Sequence, residues 1–143
     1  MNHANARLHG LRGERGQALA EFALVLPLLL LLIAGIIEFG RAWNIQQAVT
    51  DASREGARLA VISDGASMGT VRAKVEARLT AAHIQAATID TIDFSPAASW
   101  KPSQPDGSSM TVTVRVNYEI PFLGALMGLG PIKIGAQTVM RNE

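Results

Sequence analysis

The sequence contains no cysteine. Any exported domain it forms therefore lacks disulfide staples, and the thiolate is removed as nucleophile and metal ligand. Other chemical signatures are equally sparse. No glycine-rich phosphate loop follows a strand-like run, and no serine–histidine–aspartate arrangement is evident. The histidines, His3, His9 and His83, are scattered rather than grouped as zinc ligands would be. Asp90, Asp93 and Asp106 lack the tight spacing of a calcium loop. Lys and Arg number 13 against 12 Asp and Glu, a net charge of +1. With no basic surplus, nucleic-acid binding has no support. These absences point to a non-enzyme with no cofactor and no metal.

What the chain does have is oil in one place. Residues 22–37 carry no charge, and Glu21 and Glu38 bracket them. As a helix rising ~1.5 Å per residue, that run is about 24 Å long. Adding residues 18–20 and 39–43 brings it to the ~30 Å of a bilayer's hydrocarbon. A soluble core helix is rarely apolar on every face, so residues 17–43 read as a single span in a lipid bilayer. Pro27 interrupts the run, which spans tolerate, usually with a kink. Arg7, Arg12 and Arg15 precede it and predict a cytoplasmic N-terminus, with the bulk of the chain outside the cytoplasm. Trp43 lies one turn beyond Phe39, where an indole suits the outer interface.

Three kinds of segment fit such a run: a plain signal anchor, a secretory signal peptide and a prepilin-type leader. The run is long for a secretory signal, and no clean cleavage site follows it. Gly16-Gln17-Ala18-Leu19-Ala20-Glu21-Phe22 resembles the type IV prepilin pattern. The resemblance implies cleavage after Gly16 by a prepilin peptidase, with Gln17 as the new N-terminus and Glu21 fifth in the mature chain. Losing residues 1–16 would take the net charge from +1 to −1. Glu21 has two readings. A carboxylate at the cytoplasmic edge can simply reach the headgroups. The resemblance implies instead that it pairs with the free amine of a neighbouring subunit's Gln17 and sets assembly register. Glu38 is expected to pair with Arg41 at i,i+3.

Beyond the span the helix is expected to continue to about residue 62 and turn amphipathic, with Ile45, Val49, Ala52, Gly56 and Leu59 at three- and four-residue spacing. Ala48, Ala52, Gly56 and Ala60 form a strip of small side chains that lets a sheet lie close. Asp51, Arg54, Glu55 and Arg58 fall on another face, as i,i+3 pairs Asp51–Arg54 and Glu55–Arg58. That face reads as solvated, or as a contact for another subunit. Residues 63–69 are loop-like. Thr70 is the expected cap of a helix to about residue 82 with an apolar stripe of Val71, Val75, Leu79 and Ala82.

Residues 88–94 predict a strand with Ile92 and Phe94 on one face. Residues 95–109 predict a long loop whose Trp100 either contacts a partner or folds back on its own domain. Strict alternation over 110–120 and again over 132–141 predicts two half-buried antiparallel strands. Residues 122–130 are apolar and glycine-rich but too short for a second span. They read as a connection folded under the sheet, or as an exposed apolar patch for a partner or the membrane surface. The expected fold class is α+β: a long N-terminal transmembrane helix that continues as an amphipathic helix, packed with a small antiparallel β-sheet. The expected domains are 1–16 as leader, 17–43 as transmembrane helix and 44–143 as exported head.

Three stretches together narrow the resemblance: residues 16–27, Glu38-Phe39-Gly40, and Ala52-Ser53-Arg54-Glu55-Gly56-Ala57-Arg58-Leu59-Ala60. The chain resembles the TadE-like family, small pilin-like proteins of the tight-adherence (Flp) pilus system. The closing residues 138–143 are also similar to the family's ending. The resemblance implies a minor, pseudopilin-type subunit in the bacterial inner membrane with a periplasmic head, reaching the pilus or cell surface on assembly. Implied partners are the prepilin peptidase, other pilin-like subunits and the inner-membrane pilus assembly platform. Arg54, Glu55, Gly56, Arg58 and Trp100 are candidate partner contacts, and Glu21, Phe22 and Pro27 candidate assembly residues. A membrane-anchored periplasmic binding module unrelated to pili, or an exported enzyme, remain the competing classes.

Overall fold

The computed structural model describes residues 6–62, 67–96 and 107–141. Helix α1 runs over Ala6–Ile62, α2 over Met68–Ala81, β1 over Ile89–Ser95, β2 over Ser109–Tyr118, α3 over Pro121–Met127 and β3 over Ile132–Arg141. The chain divides into two compact units, Met1–Ile37 and Glu38–Glu143.

In the first unit the side chains of α1 from Gln17 to Ile33 are exposed. Leu19, Phe22, Leu24, Leu28, Leu30 and Leu32 all meet the surroundings rather than a core. The described helix holds a window of mean hydropathy 2.7 of which 6% is buried, long and apolar enough to cross a membrane. An apolar surface of this kind is stable only in an apolar solvent, which is consistent with a single span. One boundary changes, while the tolerance of Pro27 within the helix is as expected. The helix begins at Ala6, so helical backbone runs unbroken through Gly16 and into the segment expected to lie outside the fold. Pro27 sits inside α1 without ending it.

In the second unit the rest of α1 is amphipathic. Val49, Ala52, Gly56, Ala57 and Ala60 are buried, and Ile45, Ala48 and Leu59 are partly so. They meet a three-stranded antiparallel meander ordered β1-β2-β3. Met110, Val112, Val114 and Val116 point from β2 into the core, joined by Ile92 and Phe94 of β1 and Ile134 of β3. The alternation predicted for β2 and β3 is therefore the core pattern, although Ile132 at the start of β3 stays exposed.

Helix α2 contributes Val71, Val75 and Leu79 to the same core, whereas Ala82 lies exposed just past its end. Its N-cap is Ser67, not Thr70: the Ser67 hydroxyl accepts the Thr70 N–H at 3.1 Å. An N-cap hydroxyl accepts from the amide two or three residues on, and Ser67 stands three residues ahead of Thr70. At the other end His83 takes the left-handed position with φ 62°. His83 N–H donates to Thr80 and Ile84 N–H to Leu79. This is a Schellman closure, with Ile84 and Leu79 buried together as its apolar contact.

Side-chain contacts fix which helix covers which strands. On α1, Gln46 donates to the Gly135 carbonyl at 3.2 Å, and Ser53 meets Thr138 at 2.8 Å. Ser53 gives its proton to the Thr50 carbonyl, so Thr138 is the donor to Ser53. On α2, Arg72 donates to the Ile92 carbonyl at 2.7 Å and stacks over Phe94. Helix α1 thus lies along β3 and α2 along β1.

Candidate functional site

The candidate processing region lies on the exposed first part of α1. Among the described residues, nothing stands within 4 Å of where a Cβ on Gly16 would be. The Gln17 amide donates to the Glu21 carboxylate at 3.1 Å, one helical turn on. Both are exposed, as are Phe22 and Pro27. The i,i+4 bond holds Glu21 beside the residue that would become the mature N-terminus.

The second region is built where α1 and α2 cross. Arg54, Glu55 and Arg58 line an open groove of about 460 Å³ together with Asp51, Lys74 and Arg78. Arg58 makes a forked pair with Glu55, its Nε and Nη2 donating at 3.2 and 3.1 Å. That hydrogen bond holds the Glu55 carboxyl below the ordinary glutamate range against a weaker effect of burial. The charges of Arg58, Lys74 and Arg78 act in the same direction. Glu55 in turn raises Arg58 above its ordinary value. The companion pair Asp51–Arg54 is not formed among the described residues, so the two i,i+3 spacings are not equivalent. The i,i+3 rule allows a contact without requiring one, and two exposed side chains gain little from being held together.

Gly56 is unlike its charged neighbours. It is buried, and a Cβ there would come within 2.6 Å of Val75 Cγ2 on α2 and 3.4 Å of Val112 Cγ1 on β2. At Gly56, α1 lies directly against both other layers. The strip of small residues thus admits α2 as well as the sheet. Trp100 lies outside the described residues.

A third arrangement was not foreseen. Glu38 is buried, and its Oε1 accepts the backbone N–H groups of Phe122 and Leu123, the latter at 2.9 Å. These are free donors of the first turn of α3, and a carboxylate there also meets the positive end of the helix dipole. The expected Glu38–Arg41 pair is replaced because two fixed, buried amides outcompete an arginine that can reach water. Glu38 Oε2 has no partner among the described residues. The α3 segment is a helix rather than a connection folded under the sheet, and its side chains face outward. Pro121 at its first position and left-handed Gly128 at its end were the legible signals.

A wide cleft of about 560 Å³ lies between the end of α2 and the end of β2. Arg41, His83 and Glu119 reach its lining but form no hydrogen bonds with one another among the described residues. Nor do those residues hold a group of three or more Asp, Glu or His able to bind a metal ion.

These features define a class first: an α+β protein in which one helix of membrane-spanning length continues into a head with a small antiparallel sheet. Comparison then adds a likeness. The family model described as TadE-like protein matches residues 16–58, a stretch that lies wholly within the long helix. The second helix and the sheet lie outside the matched stretch. No curated protein and no solved structure matches the chain.

Proposed function

We propose that the chain is a minor, pilin-like subunit for assembly of a tight-adherence (Flp) pilus. Similarity to the TadE-like family model over residues 16–58 suggests a role in pilus-type assembly, and the finer reading adds four parts. Residues 1–16 are a leader, removed after Gly16 by a prepilin peptidase. Residues 17–43 hold the subunit in the bacterial inner membrane. Arg7, Arg12 and Arg15 keep the N-terminus cytoplasmic and send the head to the periplasm. Glu21, next to the new amine of Gln17, sets register with neighbouring pilin-like subunits at the assembly platform.

One observation carries this reading. The Gly16-to-Glu21 spacing, the charge-free run and Arg54-Glu55-Gly56-Ala57-Arg58 all fall on one helix, and one family model covers them together. The open surroundings of Gly16 among the described residues and the exposed charged groove support it, since both leave room for partners.

The test is N-terminal mass spectrometry of protein extracted from membranes of cells with an active prepilin peptidase. The expected mature chain begins at Gln17, and Gly16→Phe leaves the leader attached. Recovery of the wild-type chain with Met1 intact would overturn the processing step and, with it, the pilin-like role.

A further inference from the structure

The uncharged segment between Glu119 and Lys133 has no place in that reading. Residues 120–132 contain no ionisable side chain, yet α3 does not bury them. Phe122 is 54% exposed, Leu126 61%, Met127 66% and Leu129 51%. Four large apolar side chains on about two turns of chain form a patch that soluble surfaces seldom carry without an occupant.

The position of α3 along the chain's long helix says which occupant fits. Its first turn is bonded to Glu38, the residue that directly follows the charge-free run ending at Ile37. Five residues farther, about 7.5 Å along the helix, Trp43 stacks on Phe39 with ring centroids 6.2 Å apart, and both rings are exposed. Indoles favour the interface between hydrocarbon and water. On the single-span reading, the first turn of α3 is thus tied to the residue that follows the lipid-facing run. The bond itself suits that position. A bare carboxylate beside hydrocarbon is costly, and so are free helix N–H groups. Here Glu38 Oε1 and two of those N–H groups satisfy one another.

We propose that α3 is a membrane-surface element: Phe122, Leu126, Met127 and Leu129 enter the headgroup boundary of the leaflet nearest the head. Glu119 and Lys133 flank the segment and remain in water. Such interfacial segments bury their apolar face by roughly 5–10 Å. The head then meets the bilayer through α3 as well as through its covalent link to the span. The inference rests on the single-span reading of α1 but not on cleavage or on pilus assembly.

The absence of cysteine makes the test direct. Nitroxide labels are placed on the full chain, one at a time, as Leu126→Cys, Met127→Cys, Val139→Cys and Leu30→Cys. Each protein is reconstituted at one copy per lipid nanodisc of phosphatidylethanolamine and phosphatidylglycerol. Collisions with oxygen, which concentrates in lipid, are compared with those of a water-soluble nickel chelate. Val139 is exposed on β3, seven residues or roughly 23 Å of strand beyond Ile132. The expected result is oxygen dominance at residues 126 and 127, stronger oxygen dominance at 30 and nickel dominance at 139. Nickel dominance at 126 and 127 with residue 30 still in lipid overturns the proposal and leaves the span standing. Nickel access at residue 30 overturns both. Protection of 126 and 127 only in discs holding two copies assigns the patch to a second subunit and likewise overturns it.

Discussion

Leu30 and Leu79 are the same residue in opposite situations. Leu30 sits in the unit Met1–Ile37 with its side chain outward, and Leu79 sits in the unit Glu38–Glu143 with no exposure at all. In the first unit leucine is a solvent-matching residue, chosen for the medium around it. In the second it is a shape-matching residue, chosen for the neighbours it touches. Composition alone treats the two alike. The difference is visible only in spacing: an unbroken apolar run in the one, period-four and period-two patterns in the other.

The comparison is broken most forcefully by truncating both leucines. Leu79→Ala removes a buried side chain at the Schellman end of α2 and is expected to cost about 2–5 kcal/mol of head stability. Leu30→Ala should leave head stability unchanged. Urea titration of the full chain in detergent micelles, read by hydrogen exchange at the β2 amides, checks both. Equal loss at the two sites would show that the first unit packs like the second.

Glycine gives a sharper version of the same contrast. A methyl group on Gly56 collides with Val75, so Gly56→Ala is expected to destabilise the head by about 1–3 kcal/mol. Gly40 has open space around it on the same helix. There the same change is expected to be neutral or to stabilise by about 0.5–1 kcal/mol through helix propensity. Melting of the two variants beside wild type is sufficient.

The smallest effect is electrostatic. Glu55 is held below the ordinary glutamate range by Arg58. A carboxylate lowered on folding contributes stability above its unfolded value, and that contribution is lost as pH falls through the folded value. Glu55→Gln should therefore remove a small, salt-sensitive increment at neutral pH and none in acid below both values. Because the side chains are 29% and 56% exposed, the change should be smaller than either effect above. A pH series of melts at low and high salt measures it.

Periodic features were legible in the sequence. The apolar run, the amphipathic continuation to Ile62, β2 and β3 each repeat a pattern over many residues, and the structure has each of them. Single-residue choices were harder. Ser67 and Thr70 can both cap a helix, and only the backbone geometry decides between them. Glu38 was assigned its nearest cation because Arg41 is three residues away, whereas its true partners are 84 and 85 residues away. The face of Arg54, Glu55 and Arg58 could be read as charged, but the Lys74 and Arg78 side of the groove required knowing where α2 docks. Helix α3 was missed because it is short and apolar all round, so it offers no periodic contrast; Pro121 and Gly128 were its only punctuation.

The ties between α1 and the strand side of the head have a mechanical consequence. They occur in order, Glu38 to the start of α3, Gln46 to Gly135 and Ser53 to Thr138. From Gln46 to Ser53 the helix climbs about 10.5 Å, and from Gly135 to Thr138 the strand climbs about 10 Å. The two ascend in step. A tug along the helix axis therefore loads these ties side by side, in shear, instead of unzipping them singly. A head loaded along the helix axis would stay attached under a force that would peel it away if applied sideways.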